Sequence, residues 1–303
     1  MSITSALARW RPPRLLDVFR RGAGYVLPPP PGEFATVRGE RLHYRVSGPE
    51  GAPPLLLVHG LLASTQEWEQ VRPAFDSRYR VYAIDLPGHG YSDKRDGFSM
   101  ELPDMAEVLA GFCETLGLGR VMLVGQSMGG AVSIVVASRH RQVVDRLVLV
   151  DPISYPFVMP LKGQIGVTPL LGRFVVRFAY NRTTLRDFMR NDVYFNKARC
   201  SEEEVDRFLA HLDMPGGRAA IHRAMQATAN VGWLYDDIIN VNLPTHIIWG
   251  QDDKLIPTKL APRLHKDIRG STLDVIPYCG HSPMTEKPDR FAKSVLRFFG
   301  EPR

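Results

Sequence analysis

The segment Gly125-Gln126-Ser127-Met128-Gly129 constrains the fold of this chain more than any other stretch. It is a G-x-S-x-G pentapeptide set between the apolar run Val121–Val124 and a helix-compatible run, Ala131–Ser138. A strand that turns into a helix within so few residues holds its central residue in a strained conformation, so the flanking residues must be small. Gly125 and Gly129 meet that need, and Gly130 follows. The turn lifts the Ser127 hydroxyl above the end of the strand, at a helix N-terminus. The bland alternative is an ordinary Gly/Ser turn, and the strand before it and helix after it argue against that.

A serine used as a nucleophile needs a base, and the base needs an acid to orient it. Two later segments supply such groups. Trp249-Gly250-Gln251-Asp252-Asp253 follows the strand-like Thr245–Ile248, and Cys279-Gly280-His281-Ser282-Pro283 follows Leu273–Ile276. All three sets end an apolar strand with a turn, which is where open α/β sheets place their sites.

Two further segments complete the pattern. Leu55–Val58 leads into His59-Gly60-Leu61, and Asp85-Leu86-Pro87-Gly88-His89-Gly90-Tyr91-Ser92 follows another apolar strand. From about Thr36 to Phe299 the chain resembles the α/β-hydrolase superfamily, specifically its single-chain serine hydrolases with a cap. The resemblance implies Ser127 as nucleophile, His281 as base and Asp253 as acid, because the family's acid is the third residue after the glycine of W-G-x-x-D. It also implies an oxyanion hole made by the backbone amides of Leu61 and Met128, the latter at the N-terminus of the helix after Ser127. Asp151, at the end of the sixth strand, is a rival acid, since some members take theirs from that position. Asp253 is preferred because the later position is filled. His59, His89 and Asp85 read as structural groups of the turns near the site.

The predicted fold is α/β: an eight-stranded, mostly parallel sheet flanked by helices, with a helical cap inserted between strands 6 and 7. A hairpin over Phe34–Val37 and Arg41–Val46 opens it. Buried strands follow at Leu55–Val58, Val81–Ile84, Val121–Val124 and Arg146–Val150, and the last two at 245–249 and 272–276. Helices are expected over Gln66–Phe75 and Leu102–Leu116. In domain terms, residues 1–32 form a basic and apolar arm with a Pro-rich linker. Residues 33–151 and 243–303 form the core, and 152–242 the cap. Cap helices are expected over Pro169–Tyr180, Thr184–Asn191, Ser201–Leu212 and Gly217–Asn230, with Ser201 and Glu204 in a capping-box pattern.

Composition narrows the partners. No apolar stretch approaches the roughly 18–20 residues of a membrane span. Three cysteines, Cys113, Cys200 and Cys279, are odd in number and widely spaced. That is neither a disulfide framework nor a zinc pattern, and it points to a reducing, cytoplasmic setting. The net charge of +6 is concentrated in the first 41 residues, where seven arginines face three acids. A charge so placed describes an arm rather than a nucleic-acid-tracking face. The arm reads as a strap on the body, with peripheral contact to an anionic membrane as the alternative.

The reaction implied is two-step acyl transfer on a small-molecule acyl substrate, with no metal and no organic cofactor. A carboxylic ester is the first reading. C–C bond hydrolysis of vinylogous diketones comes second, with thioester, amide, lactone and perhydrolase chemistry open. Serine at the elbow argues against epoxide hydrolases and haloalkane dehalogenases, which use aspartate there. A non-catalytic receptor of the same fold is the alternative of another class.

Overall fold

A computed structural model describes residues 25–159 and 161–300. The arm, up to residue 24, lies outside the described residues. Eight strands form one sheet: β1 Glu33–Val37, β2 Glu40–Ser47, β3 Pro54–Val58, β4 Arg80–Ile84, β5 Val121–Gln126, β6 Val144–Val150, β7 Thr245–Gly250 and β8 Thr272–Ile276. Their order is β1-β2-β4-β3-β5-β6-β7-β8. β2 runs antiparallel to β1 and β4, and every other pairing is parallel.

The order reverses at β3. The chain leaves β3 for β4 on one side and returns to β5 on the other. The carboxyl ends of β3 and β5 therefore border the switch point, where such sheets bind their ligands. The His59-Gly60 turn follows β3 and Ser127 follows β5.

Successive side chains of the central strands serve opposite faces. Leu56 and Val58 of β3 join the larger apolar cluster, and Leu55 and Leu57 join the other. All four are fully buried, and each such side chain contributes about 1.5–3 kcal/mol relative to exposure. On the larger side lie α2 Leu102–Thr115, α3 Ser127–Arg139, α9 Leu234–Asn240 and α10 Ala261–Asp267. On the other lie the short α1 Arg72–Phe75 and the C-terminal α12 Pro288–Gly300, which bring Phe75, Phe291 and Phe298 to the sheet. α3 packs between α2 and α9 and is buried on nearly every side through Ala137. That explains its nearly unbroken small and apolar sequence.

The expected helix Gln66–Phe75 is not continuous. A 3₁₀ turn at Thr65–Trp68 gives way to α1, which restarts with Pro73 near its first position. Proline has no amide to continue the earlier ladder but suits a helix start.

Between β6 and β7 the described residues hold helices and no strand. The α-helices are α4 Leu161–Gly166, α5 Pro169–Phe178, α6 Arg182–Phe188, α7 Glu202–Asp213 and α8 Gly217–Ala227, followed by α9, with a π-helical turn at Met189–Val193 and a 3₁₀ turn at Lys197–Arg199 between α6 and α7. α4 and α9 have no counterpart among the expected helices, because six or seven residues give too short a period to detect. Asn181 and Thr184 cap α6 reciprocally. Ser201 caps α7 through the Glu204 amide, but the Glu204 side chain bonds the Tyr194 hydroxyl instead of completing the box. This insert has its own apolar cluster, built on Val176, Leu185, Val205 and Leu209, and Leu61 and Leu62 of the β3 turn pack against it.

Candidate active site

Gln126 ends β5 in extended conformation, and Ser127, with φ 52°, opens α3. A positive φ is costly for a non-glycine residue and persists only where the surroundings enforce it. Two close approaches enforce it here. A Cβ on Gly129 would fall 2.4 Å from the His59 carbonyl oxygen, and one on Gly60 would fall 2.1 Å from Gln126 Oε1 and 3.0 Å from Ser127 Cβ. The β3 turn and the β5 turn are thus pressed together, and only glycine fits between them. Among the described residues the Leu61 and Met128 amides donate to no other protein group. Two free donors beside Ser127, one of them opening α3, suit a developing negative oxygen.

Asp253 follows β7. Its Oδ2 accepts from His281 Nδ1 at 2.7 Å, and its Oδ1 accepts from the amides of Leu255 at 2.8 Å and Ile256 at 3.0 Å. Both oxygens of the carboxylate are therefore occupied, which fixes its plane toward the imidazole. Asp252 instead uses its amide to bond the Cys279 carbonyl. His281 is anchored at both ends of its own peptide unit. Its amide donates to Val193 O at 2.8 Å, and its carbonyl accepts from Gln126 Nε2 at 2.8 Å. The residue before Ser127 thus holds the loop that carries His281. Burial opposes charge on the imidazole, yet the Asp253 charge and hydrogen bond, with Asp151 and Glu67 behind them, carry its pKa up to about 9.

Asp151 stands beside this pair, buried, with φ 43°. Its Oδ1 accepts from the Gly250 amide at 2.7 Å, and its Oδ2 has no protein partner among the described residues. Burial first, and then the Asp253 charge, push its carboxyl well above the usual carboxylate range. One oxygen or nitrogen from each of Asp151, Asp253 and His281 lies within 4.8 Å of the others. That is the one group of metal-ligand type among the described residues, and its Nδ1–Oδ2 contact is already a hydrogen bond.

The residues read as structural in the sequence lie in the turns as expected. His59 sits between the Gly60 carbonyl and the Leu86 amide, so Nδ1 donates and Nε2 accepts. Burial lowers its pKa and keeps it neutral. Asp85 accepts from His43 Nδ1 at 2.7 Å and from the Thr65 and Tyr91 amides. His89 Nδ1 meets the Pro87 carbonyl, and burial lowers the ring to about 3.

Two carboxylates of the site escape a reading of the sequence. Glu67 Oε2 accepts from the Gly60 amide at 3.3 Å. Burial pushes it up to about 7, against the pull of the Gly60 amide and His281. Its signal is the Ser64-x-x-Glu67 spacing, which reads as a helix cap, while its side chain turns back to the β3 turn instead. Glu286, buried on the short α11 Pro283–Glu286, accepts from the Gly280 amide at 2.7 Å and the Asn196 amide at 2.8 Å. It joins the His281 loop to the insert, a contact no local pattern could reveal.

The family model for the alpha/beta hydrolase fold matches residues 53–288, and the chain belongs to this family. An uncharacterized protein of Mycobacterium tuberculosis is 30% identical, over 89% of this chain and 81% of that protein. A 2-hydroxy-6-oxo-2,4-heptadienoate hydrolase of Pseudomonas putida is 30% identical, over 81% of this chain and 88% of that protein. Among solved structures, a single-substitution mutant of a meta-cleavage product hydrolase superposes with a TM-score of 0.76 at 25% identity, covering 89% of this chain and 98% of that one. The protein is a hydrolase of this superfamily, and these relatives include enzymes of the C–C alternative rather than of the ester reading placed first in the sequence.

Proposed function

We propose that the chain is a serine hydrolase in which Ser127 attacks a substrate carbonyl, His281 takes and returns the proton, and Asp253 fixes the imidazole. The observation that carries this reading is the 2.7 Å Asp253–His281 pair, tied through Gln126 to a serine at positive φ. Nε2 receives the Ser127 proton as Oγ bonds to the carbonyl carbon. The oxyanion is met by the Leu61 and Met128 amides. The imidazolium then protonates the departing group, leaving an acyl-enzyme that a water, deprotonated by His281, opens. The insert over residues 152–242 serves as the cap, since its apolar cluster rests on Leu61 and Leu62.

For the bond cleaved, the relatives support C–C hydrolysis of a vinylogous diketone ahead of an ordinary ester. One observation favours the ester or lactone as second reading. The charge bearing most on His281 is the Asp253 carboxylate, with Glu67 as a further carboxyl group acting on it. The P. putida relative is named for a dienoate, which carries a carboxylate of its own. A carboxylate held against the base suits an uncharged acyl group better.

A paired assay separates the readings. Purified protein is labelled with a fluorophosphonate, then offered a 2-hydroxy-6-oxo-dienoate and p-nitrophenyl esters of neutral acids of graded length. Turnover of the dienoate supports C–C hydrolysis, and turnover of the esters alone supports the second reading. Labelling of Ser127 with no turnover of any substrate would favour the receptor alternative, and failure to label would remove Ser127 as nucleophile.

A further inference from the structure

The outer face of the insert is built the wrong way round for a surface helix. In α5 the residues that face inward are Gly172 and Val176. Leu170, Phe174 and Phe178, at i, i+4 and i+8, form a stripe that points outward, with Leu171 beside it. Leu170 is 85% exposed and Phe174 54%. Val158 and Leu161, just before and within α4, add two more outward apolar side chains at 88% and 70%. Arg173 and Arg177 line one edge of the stripe, both exposed. Neither forms an ion pair among the described residues. Arg177 lies over the Phe178 ring at 5.4 Å. Scattered apolar residues on a surface mean little, but a contiguous stripe rimmed by cations without acid partners marks an interaction face.

We propose that this face of α4 and α5 docks on an anionic lipid surface. The inference is independent of the bond the enzyme cleaves. Charge selects the occupant. The stripe fits the boundary between headgroups and acyl chains, and Arg173 and Arg177 reach back from its edge to lipid phosphates. The N-terminal arm is a poor cover, because residues 1–24 carry five arginines against one aspartate and would repel the arginines of α5. A second copy related by a two-fold axis would bring the same arginines toward each other. An anionic surface attracts the arginines of both the face and the arm.

The test uses the full-length chain in co-sedimentation with vesicles of phosphatidylcholine alone and of phosphatidylcholine mixed with phosphatidylglycerol. Binding is expected to the mixed vesicles only and to weaken with salt. Arg173→Glu with Arg177→Glu should weaken it by at least about fivefold per arginine. Leu170→Ser with Phe174→Ser should weaken it by at least about tenfold per side chain. Both pairs point away from the insert's cluster, so melting temperature should stay unchanged. Three results would overturn the proposal: binding unaffected by either pair, Leu170→Ser with Phe174→Ser lowering the melting temperature with no vesicle binding (the arm covers the face), or a solution dimer dissociated by that pair with no vesicle binding (a second copy covers it).

Discussion

The ends of β6 and β7 each bring a buried carboxyl group toward His281. Asp253 spends one oxygen on the imidazole and the other on two amides. Asp151 spends one oxygen on the Gly250 amide and leaves the other without a partner among the described residues. A carboxylate needs donors to hold its charge away from water. Asp253 has three, so it can face His281 as an anion. Asp151 has one, and the Asp253 charge beside it, so it favours the neutral acid. Two identical side chains on neighbouring strands are separated in role by their hydrogen bonds. Environment divides paired carboxyl groups in the same way wherever one must stay protonated.

Removing the proposed nucleophile sets the floor for this comparison. Ser127→Ala should lower kcat by about 10⁶ while leaving the fold intact, the loss seen when a triad serine is removed. A variant within tenfold of wild type would show that neither carboxyl group serves a triad at Ser127.

The next largest effect separates the two acids. Asp253→Asn should cost about 10⁴ in kcat, because an amide cannot enforce the tautomer His281 needs. Asp151→Asn should cost less than about tenfold, since the amide resembles the neutral acid it replaces and its oxygen can still accept from Gly250. The double variant should be no worse than Asp253→Asn by more than that same factor. If Asp151→Asn is the crippling change, the comparison is inverted and the acid comes from β6.

The comparison also shows what a sequence can carry. The sheet was legible because apolar strands and glycine turns are local signals, and all eight strands fall where those signals put them. Ser127, Asp253 and His281 were named from motifs of a few residues each, and the structure brings Asp253 and His281 into contact. Glu67 and Glu286 were not legible. Each acts on a backbone amide in another segment, Gly60 for one, and Gly280 and Asn196 for the other. Such bonds leave no period in the sequence. The neutral state of Asp151 is illegible for the same reason, since it depends on how many donors converge at a strand end.

The smallest effect concerns Glu67, which faces the same histidine from the β3 side. The proposed mechanism requires neutral His281, so kcat/KM should rise with pH along a limb near 9. The negative charge of Glu67 stabilises the imidazolium and so holds part of that limb up. Glu67→Gln removes the charge but keeps an oxygen that can accept from Gly60. The limb should move to lower pH by less than about one unit, with no loss of plateau activity. The sign is specific to a carboxyl group that itself titrates at about 7. Below that pH Glu67 is protonated in the wild type, so the two profiles should converge. Above it they should separate, with the variant more active until both reach the plateau. A loss of activity by the same factor at every pH would make Glu67 a support for the β3 turn rather than a charge felt by His281. Superimposable profiles would show that the charge His281 senses is that of Asp253, without a contribution from Glu67.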